Sequence, residues 1–340
     1  MDPLERFYAA VKFHTADRIP LIYQFFGAAN HVFKALHTSF KDIYYKPEGV
    51  VAFQLKAQEL YGHDNVMIPG GCLTVEAEAM GAEISIKEHN YPKISKRVTQ
   101  DLNMLNLVAA DPYQDGRMPI YIEAIRLISD KLGESTPIIG TILTPLGVLM
   151  ELLGFVQVIK GIKRFPDVIH EALLVVTQTC ISYGRAMLKE GAHGILIEEA
   201  GASASLMRRD VCNEFGLQYT KTLINVVKSA GGVIIIHNCS KDPYLDLQVA
   251  LRPDVLNVSG GDLKSIKKQF GNQVCLMGNI EPEVIHLGSP KEVRSKAIEC
   301  IKEWKNEGGF ILSTGCEIPH NAPIKNVKVL KEAVEQYGRY

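Results

Sequence analysis

Two rhythms of apolar residues alternate along this chain. Short runs rich in Ile, Val and Leu give way to longer stretches with apolar positions every three or four residues. That is the pattern of strands joined by amphipathic helices. The runs predict eight strands: Ile19–Tyr23, Asn65–Ile68, Pro137–Thr141, Gly194–Ile197, Gly232–Ile236, Val255–Val258, Val274–Met277 and Phe310–Ser313. Helical spacing covers Pro3–Phe13, a segment starting near Pro47, Asp167–Glu190, Val211–Val227 and Pro290–Glu307. After the second strand, Thr74–Gly81 reads as helical and Glu83–Val98 alternates like a hairpin. Gly231-Gly232 and Gly308-Gly309 precede the fifth and eighth strands, as helix C-caps do. Strands that alternate with helices throughout belong to a parallel sheet. Eight such units predict an α/β fold, a single (β/α)8 TIM barrel with an N-terminal helical segment and a hairpin excursion after strand 2. No low-complexity linker interrupts it, so residues 1–340 read as one domain.

Composition narrows the function. With 46% hydrophobic residues, the chain can bury a large core without staples. Its 37 basic and 38 acidic residues leave a formal charge of −1, and no long basic run occurs, which argues against nucleic acid as a partner. The opening MDPLERFYAAVKF has neither the apolar core of a signal peptide nor the character of a transit peptide. No apolar run reaches the roughly 20 residues that cross a bilayer, so no membrane partner is expected. Seven widely spaced cysteines, an odd number, read as reduced thiols of a cytoplasmic protein.

In a barrel of this kind the chemistry sits where strands end. Polar residues fall there repeatedly: Gln24, Thr141, Thr144, Glu198-Glu199, His237-Asn238-Cys239, Ser259, Asn279 and Cys316-Glu317. His237 and Cys239 follow the apolar Val233–Ile236 run two residues apart, so their side chains point the same way. Cys316 follows the last strand and offers a third ligand. An N/S set suits zinc. The same residues also fit a buried histidine beside packed cysteines, since free Cys is among the most buried types. Cys180, Cys212, Cys275 and Cys300 read as packing. Cys72, after the second strand, is placed at the barrel mouth. Of Glu198 and Glu199 only one can face the site; as candidates for a fourth ligand or a proton acceptor they compete with a capping or salt-bridged role. Asn279 supplies an amide at the rim, while Tyr23, Phe25 and Phe26 form either an aromatic wall or core. No dinucleotide, Walker A, HExxH or G-x-S-x-G motif occurs.

Further stretches converge on a family. His237-x-Cys239, Gly278-Asn279-Ile280 and Thr314-Gly315-Cys316-Glu317-Ile318-Pro319, leading into Ala322-Pro323-Ile324-Lys325-Asn326-Val327, resemble the uroporphyrinogen decarboxylase superfamily. Glu5-Arg6-Phe7-Tyr8, Asp17-Arg18-Ile19-Pro20, Cys72-Leu73-Thr74-Val75, Glu78-Ala79-Met80-Gly81 and Arg117-Met118-Pro119 extend the similarity over nearly the whole chain. The chain looks most like the methylcobamide:coenzyme M methyltransferase branch.

That resemblance implies zinc held by His237, Cys239 and Cys316, which activates a thiol for attack on a methyl-corrinoid. It also implies a cobalamin-type corrinoid carried on a separate corrinoid-binding protein, since this chain lacks a D-x-H-x-x-G signature. Two departures stand out. The branch has an acidic zinc ligand one strand beyond His-x-Cys, where this chain reads Ser259 in Leu256-Asn257-Val258-Ser259, leaving Glu199 or water for the fourth position. Where a porphyrinogen decarboxylase has an arginine-rich segment, this chain has Gln24-Phe25-Phe26-Gly27-Ala28-Ala29, which disfavours decarboxylation. An alternative on the same scaffold is an O-demethylase methyltransferase that takes methyl from a phenyl methyl ether to Co(I). Another is a non-catalytic, zinc-stabilised barrel that binds a corrinoid protein. Gln24, Tyr23, Asn279 and Cys72 are the expected substrate contacts, with Glu198 and Glu199 as the expected catalytic carboxylates.

Overall fold

The computed structural model describes residues 1–24, 28–70, 73–88, 90–99, 101–199, 201–305 and 308–340. Among the described residues ten strands form: β1 (Leu21–Ile22), β2 (Val66–Ile68), β3 (Glu83–Lys87), β4 (Asn90–Lys96), β5 (Ile138–Leu143), β6 (Gly194–Glu198), β7 (Val233–Asn238), β8 (Val255–Val258), β9 (Cys275–Ile280) and β10 (Phe310–Thr314). β3 and β4 pair antiparallel as the expected hairpin. The other eight form one parallel sheet in the order β1-β10-β9-β8-β7-β6-β5-β2, the TIM-barrel-like α/β fold that the alternation predicts. Both faces of these strands are covered, which explains why they read as apolar runs rather than alternating ones.

Alternation along each strand sorts residues into two cores. Ile22, Met67, Ile139, Leu196, Ile235, Val255, Met277 and Ile311 face inward and pack together inside the barrel. Phe7 and Ala10 join them from the helix Pro3–Val11, so the opening helix plugs the N-terminal end of the barrel. That helix begins with a reciprocal capping box between Asp2 and Glu5. The larger outer cluster lies between the strands and the surrounding helices.

Between the outermost strands, side chains stand in for a ladder. β1 is shorter than expected because its neighbours bond elsewhere. The Ile19 N–H donates to Gly338 O, and Asn65 Oδ1 and Nδ2 engage the N–H and C=O of Tyr23 at 2.9 and 3.0 Å. One residue earlier on the second segment, the Asp64 N–H donates to Leu21 O, and Leu21 N–H donates back to Asp64 Oδ2 at 2.7 Å. Asp64 and Asn65 thus join β1 to the entrance of β2. The buried Asp64 carboxylate is held by Arg18, at 2.7 and 2.8 Å, and by Arg6 at 3.2 Å. Arg6 in turn grips Asp17 through two 2.8 Å bonds.

Among the described residues no single helix is long and apolar enough to cross a membrane; Pro145–Leu153 and Phe155–Arg164 reach that composition only as a pair bent by 107°.

Removing the carboxylate leaves two guanidinium groups without their shared buried partner. Asp64→Ala is expected to cost about 3–5 kcal/mol, read as a lower urea midpoint at unchanged slope. A midpoint like that of the parent chain would show that the seam does not hold the barrel.

Candidate metal centre

The strands run slightly further than the apolar pattern suggests, and that extension builds the site. β6 includes Glu198, β7 includes His237 and Asn238, and Asn257 lies inside β8. Register places Glu198 beside His237 and His237 beside Asn257 on three adjacent strands. Each lies two residues beyond an inward apolar residue (Leu196, Ile235, Val255), so all three project into the barrel. Gln24, Thr141 and Ser313 occupy the same inner layer by the same count, and all six are buried. A polar layer therefore sits directly above the apolar one, toward the C-terminal mouth.

Cys239 is one residue past the end of β7 and exposed; Cys316 is two past the end of β10 and half-buried. Gly315 lets the second loop come close, because a Cβ there would lie 2.6 Å from Ser259 Cα. The ligand atoms of His237, Cys239 and Cys316 all lie within 4.8 Å of one another, the single such group found among the described residues. A tetrahedral zinc with bonds of about 2.0–2.3 Å needs its donors roughly 3.5–3.8 Å apart. The two sulfur ligands stand on loops that have little distance to cover.

The carboxylates are resolved by strand alternation. Glu198 Oε2 lies 3.7 Å from His237 Nε2. Glu199 turns outward, its Oε1 accepting the N–H groups of Gly201 and Ala202 at 2.8 and 3.2 Å. Of the two carboxylates expected as catalytic candidates, Glu198 is thus the one brought beside His237, while Glu199 is bonded to the Gly201–Ala202 loop. Burial pushes the Glu198 carboxyl up to about 7, against the opposing pull of His237. Burial also raises Glu76 to about 7; its Oε1 accepts the Leu143 N–H at 3.0 Å. Burial alone would lower His237, but Glu198 and the Cys239 sulfur raise it to about 9. Without metal the two thiols share one proton. The Cys316 S–H bonded to it, and then His237, hold Cys239 down to about 4, while Cys316 is pushed up.

The remaining candidates divide. Gln24 is fully buried; its amide donates to Asn257 Oδ1 and Thr314 O, both at 2.9 Å. Tyr23 faces the opposite way, its hydroxyl donating to Val327 O at 2.7 Å while its ring stacks on His63, so it is not brought to the cluster. Asn279 also misses it. Its Oδ1 faces Cys300 Sγ at 3.8 Å on the outer helix Pro290–Trp304, where it lines a cavity of about 190 Å³ with Glu281, Glu299 and Glu303. Cys72, Phe25 and Phe26 lie outside the described residues. Cys180, Cys212, Cys275 and Cys300 are buried packing residues, as expected. Asn257 was not singled out by the sequence reading; the available signal was a lone amide in the apolar run Val255–Val258.

The fold and site together are those of a parallel eight-stranded barrel with an N/S cluster at the C-terminal ends of its strands. The model of one family, uroporphyrinogen decarboxylase (URO-D), matches residues 2–337, and the chain belongs to that family. A methylcobamide:CoM methyltransferase, MtaA of Methanosarcina barkeri, is 29% identical over 98% of this chain and 97% of its own length. A uroporphyrinogen decarboxylase of Chlorobaculum parvum is 27% identical over 88% and 87%. A solved methyltransferase from Methanosarcina mazei superposes with a TM-score of 0.90 at 28% identity, covering 99% of each chain.

The shared proton has a measurable consequence. In chelator-treated protein, iodoacetamide should alkylate Cys239 at a nearly constant rate from pH 6 to 8, because its thiolate is already formed above pH 5. An ordinary thiol speeds up about tenfold per pH unit over that range. Adduct mapping by mass spectrometry separates the two, and a tenfold climb at Cys239 would refute the arrangement.

Proposed function

We propose that the chain is a zinc-dependent methyltransferase that carries a methyl group from a methylated corrinoid to a thiol. The observation that carries this reading is the donor set: one imidazole and two sulfurs within 4.8 Å at the open end of the barrel. The methylcobamide:CoM methyltransferase matched along nearly its whole length supports the corrinoid half of the reaction.

His237, Cys239 and Cys316 would hold the ion. When bound, zinc acts as a Lewis acid that lets a thiol lose its proton at neutral pH. His237 anchors the buried side of the site, while Cys239 lies exposed at the rim, so the open side faces the mouth. Glu198, beside His237, would lie next to the ion. It is also placed to accept the thiol proton, because burial keeps its affinity for a proton near neutrality. The sulfur–carbon bond then forms as the cobalt–carbon bond breaks, and the electron pair of the broken bond stays on cobalt. A corrinoid on a separate carrier protein would reach the site through the mouth.

Near-equimolar zinc is expected in purified protein. Cys239→Ala and Cys316→Ala should each lower zinc affinity and methyl transfer by at least about a hundredfold, with the fold intact by circular dichroism. Glu198→Gln should keep the zinc and slow transfer, most of all above neutral pH, where the parent carboxylate is ionised and can accept a proton. Transfer is followed by cobalt absorbance with methylated and Co(I) corrinoid protein, offered thiols and phenyl methyl ethers. Ether cleavage without thiol methylation would reverse the direction. Transfer that survives chelation would remove the metal from the reaction.

A further inference from the structure

We infer that Asn257 and Gln24 are positioning residues that fix the tautomer of His237, so that its Nε2 carries the lone pair offered to the metal. This inference rests on the zinc reading above. It follows from a chain of donors and acceptors anchored on the main chain. The carbonyl oxygens of Met277 and Thr314 can only accept. Asn257 Nδ2 donates to them at 3.3 and 3.4 Å. That fixes the orientation of the Asn257 amide and turns its Oδ1 the other way. Oδ1 there receives the Gln24 Nε2 donor at 2.9 Å, and Gln24 Nε2 also donates to Thr314 O, which fixes Gln24 in the same sense.

The other partner of Asn257 Oδ1 is His237 Nδ1. Facing an oxygen that can only accept, Nδ1 must carry the ring proton, and Nε2 is left with its lone pair. Nε2 lies on the Glu198 side of the ring, 3.7 Å from Oε2, and is the nitrogen that remains for a ligand role with Cys239 and Cys316. Metal-bound histidines depend on such an outer partner for ring orientation and basicity. Here the partner is a neutral amide, itself held by a second amide from a strand on the other side of β10. Asn257, Gln24 and His237 are all buried, so water does not compete for these positions. Gln24, expected to touch substrate, thus acts through Asn257 and His237.

Nitrogen-15 spectroscopy of the zinc-loaded protein tests the inference without any substitution. The His237 ring should show a protonated Nδ1 and a metal-shifted Nε2; metal on Nδ1 would overturn it. As a second test, Asn257→Leu removes the acceptor and Gln24→Leu removes its support. Zinc affinity, read by competition with a chromophoric chelator, should fall about 10- to 100-fold for Asn257→Leu and less for Gln24→Leu. Asn257→Asp, which keeps an acceptor oxygen, should restore most of that loss. If the parent binds zinc and Asn257→Leu binds it equally tightly with the same tautomer, the positioning role fails. If the folded parent binds no zinc, the zinc reading itself fails.

Discussion

Curvature is the constraint on which the site depends. Adjacent strands lie about 4.8 Å apart, so three spacings would put β7 and β10 roughly 14 Å from each other in a flat sheet. Their ligand atoms instead come within 4.8 Å. Only a sheet rolled toward its own axis brings side chains from strands that far apart in order to one point. The roll is held at the edges by Asp64 and Asn65, whose side chains supply the bonds a ladder would make between β1 and β2. Burying Asp64 is costly, and it is tolerated because Arg6, Arg18 and the Leu21 N–H satisfy it together.

The same geometry stacks the interior in two layers. Below, Phe7 and the apolar strand residues fill the barrel and need no partners. Above, six polar side chains occupy positions that packing alone would give to apolar residues. Each unpaired polar group there costs free energy. The amides of Asn257 and Gln24 offset much of that cost by bonding to main-chain carbonyls. Ser313 Oγ, Glu198 Oε1 and Gln24 Oε1 have no hydrogen-bond partner among the described residues. The layer is thus stable enough to fold and polar enough to receive something from the mouth.

Periodicity made the eight strands and the hairpin legible in the sequence, because a buried parallel strand has little freedom in composition. The three residues of the cluster were legible by type and by position at strand ends, though packing could have explained them equally well. Strand alternation already contained more than was read from it. Ile22 faces inward, so Tyr23 must face outward and Gln24 inward; Leu196 likewise selects Glu198 over Glu199. Asn279 could not be read this way. Counting from Met277 sends it inward, but Gly278 sits at φ 130° between them, a conformation open to glycine that breaks the alternation. Asn257 was hidden for another reason: its role exists only through contacts with residues 20 to 233 positions away.

The three cluster residues do not share one degree of constraint, and under the zinc reading proposed above the difference would bear on turnover. His237 belongs to a strand paired on both sides and is fully buried. The two cysteines lie beyond their strands, on segments with fewer ladder bonds to hold them. A site with three equally rigid donors would fix the geometry of the ion and resist a change of its fourth partner. Under that reading, one strand-held nitrogen with two loop-held sulfurs would hold the ion in place while leaving its coordination free to adjust. Glu198 stands beside His237 with little around it that binds its charge. Among the described residues one of its oxygens has no hydrogen-bond partner. The other faces an imidazole at 3.7 Å, beyond normal hydrogen-bond length. A carboxylate with so few partners can change its protonation without breaking a network of bonds, which is what its proposed role as proton acceptor would require.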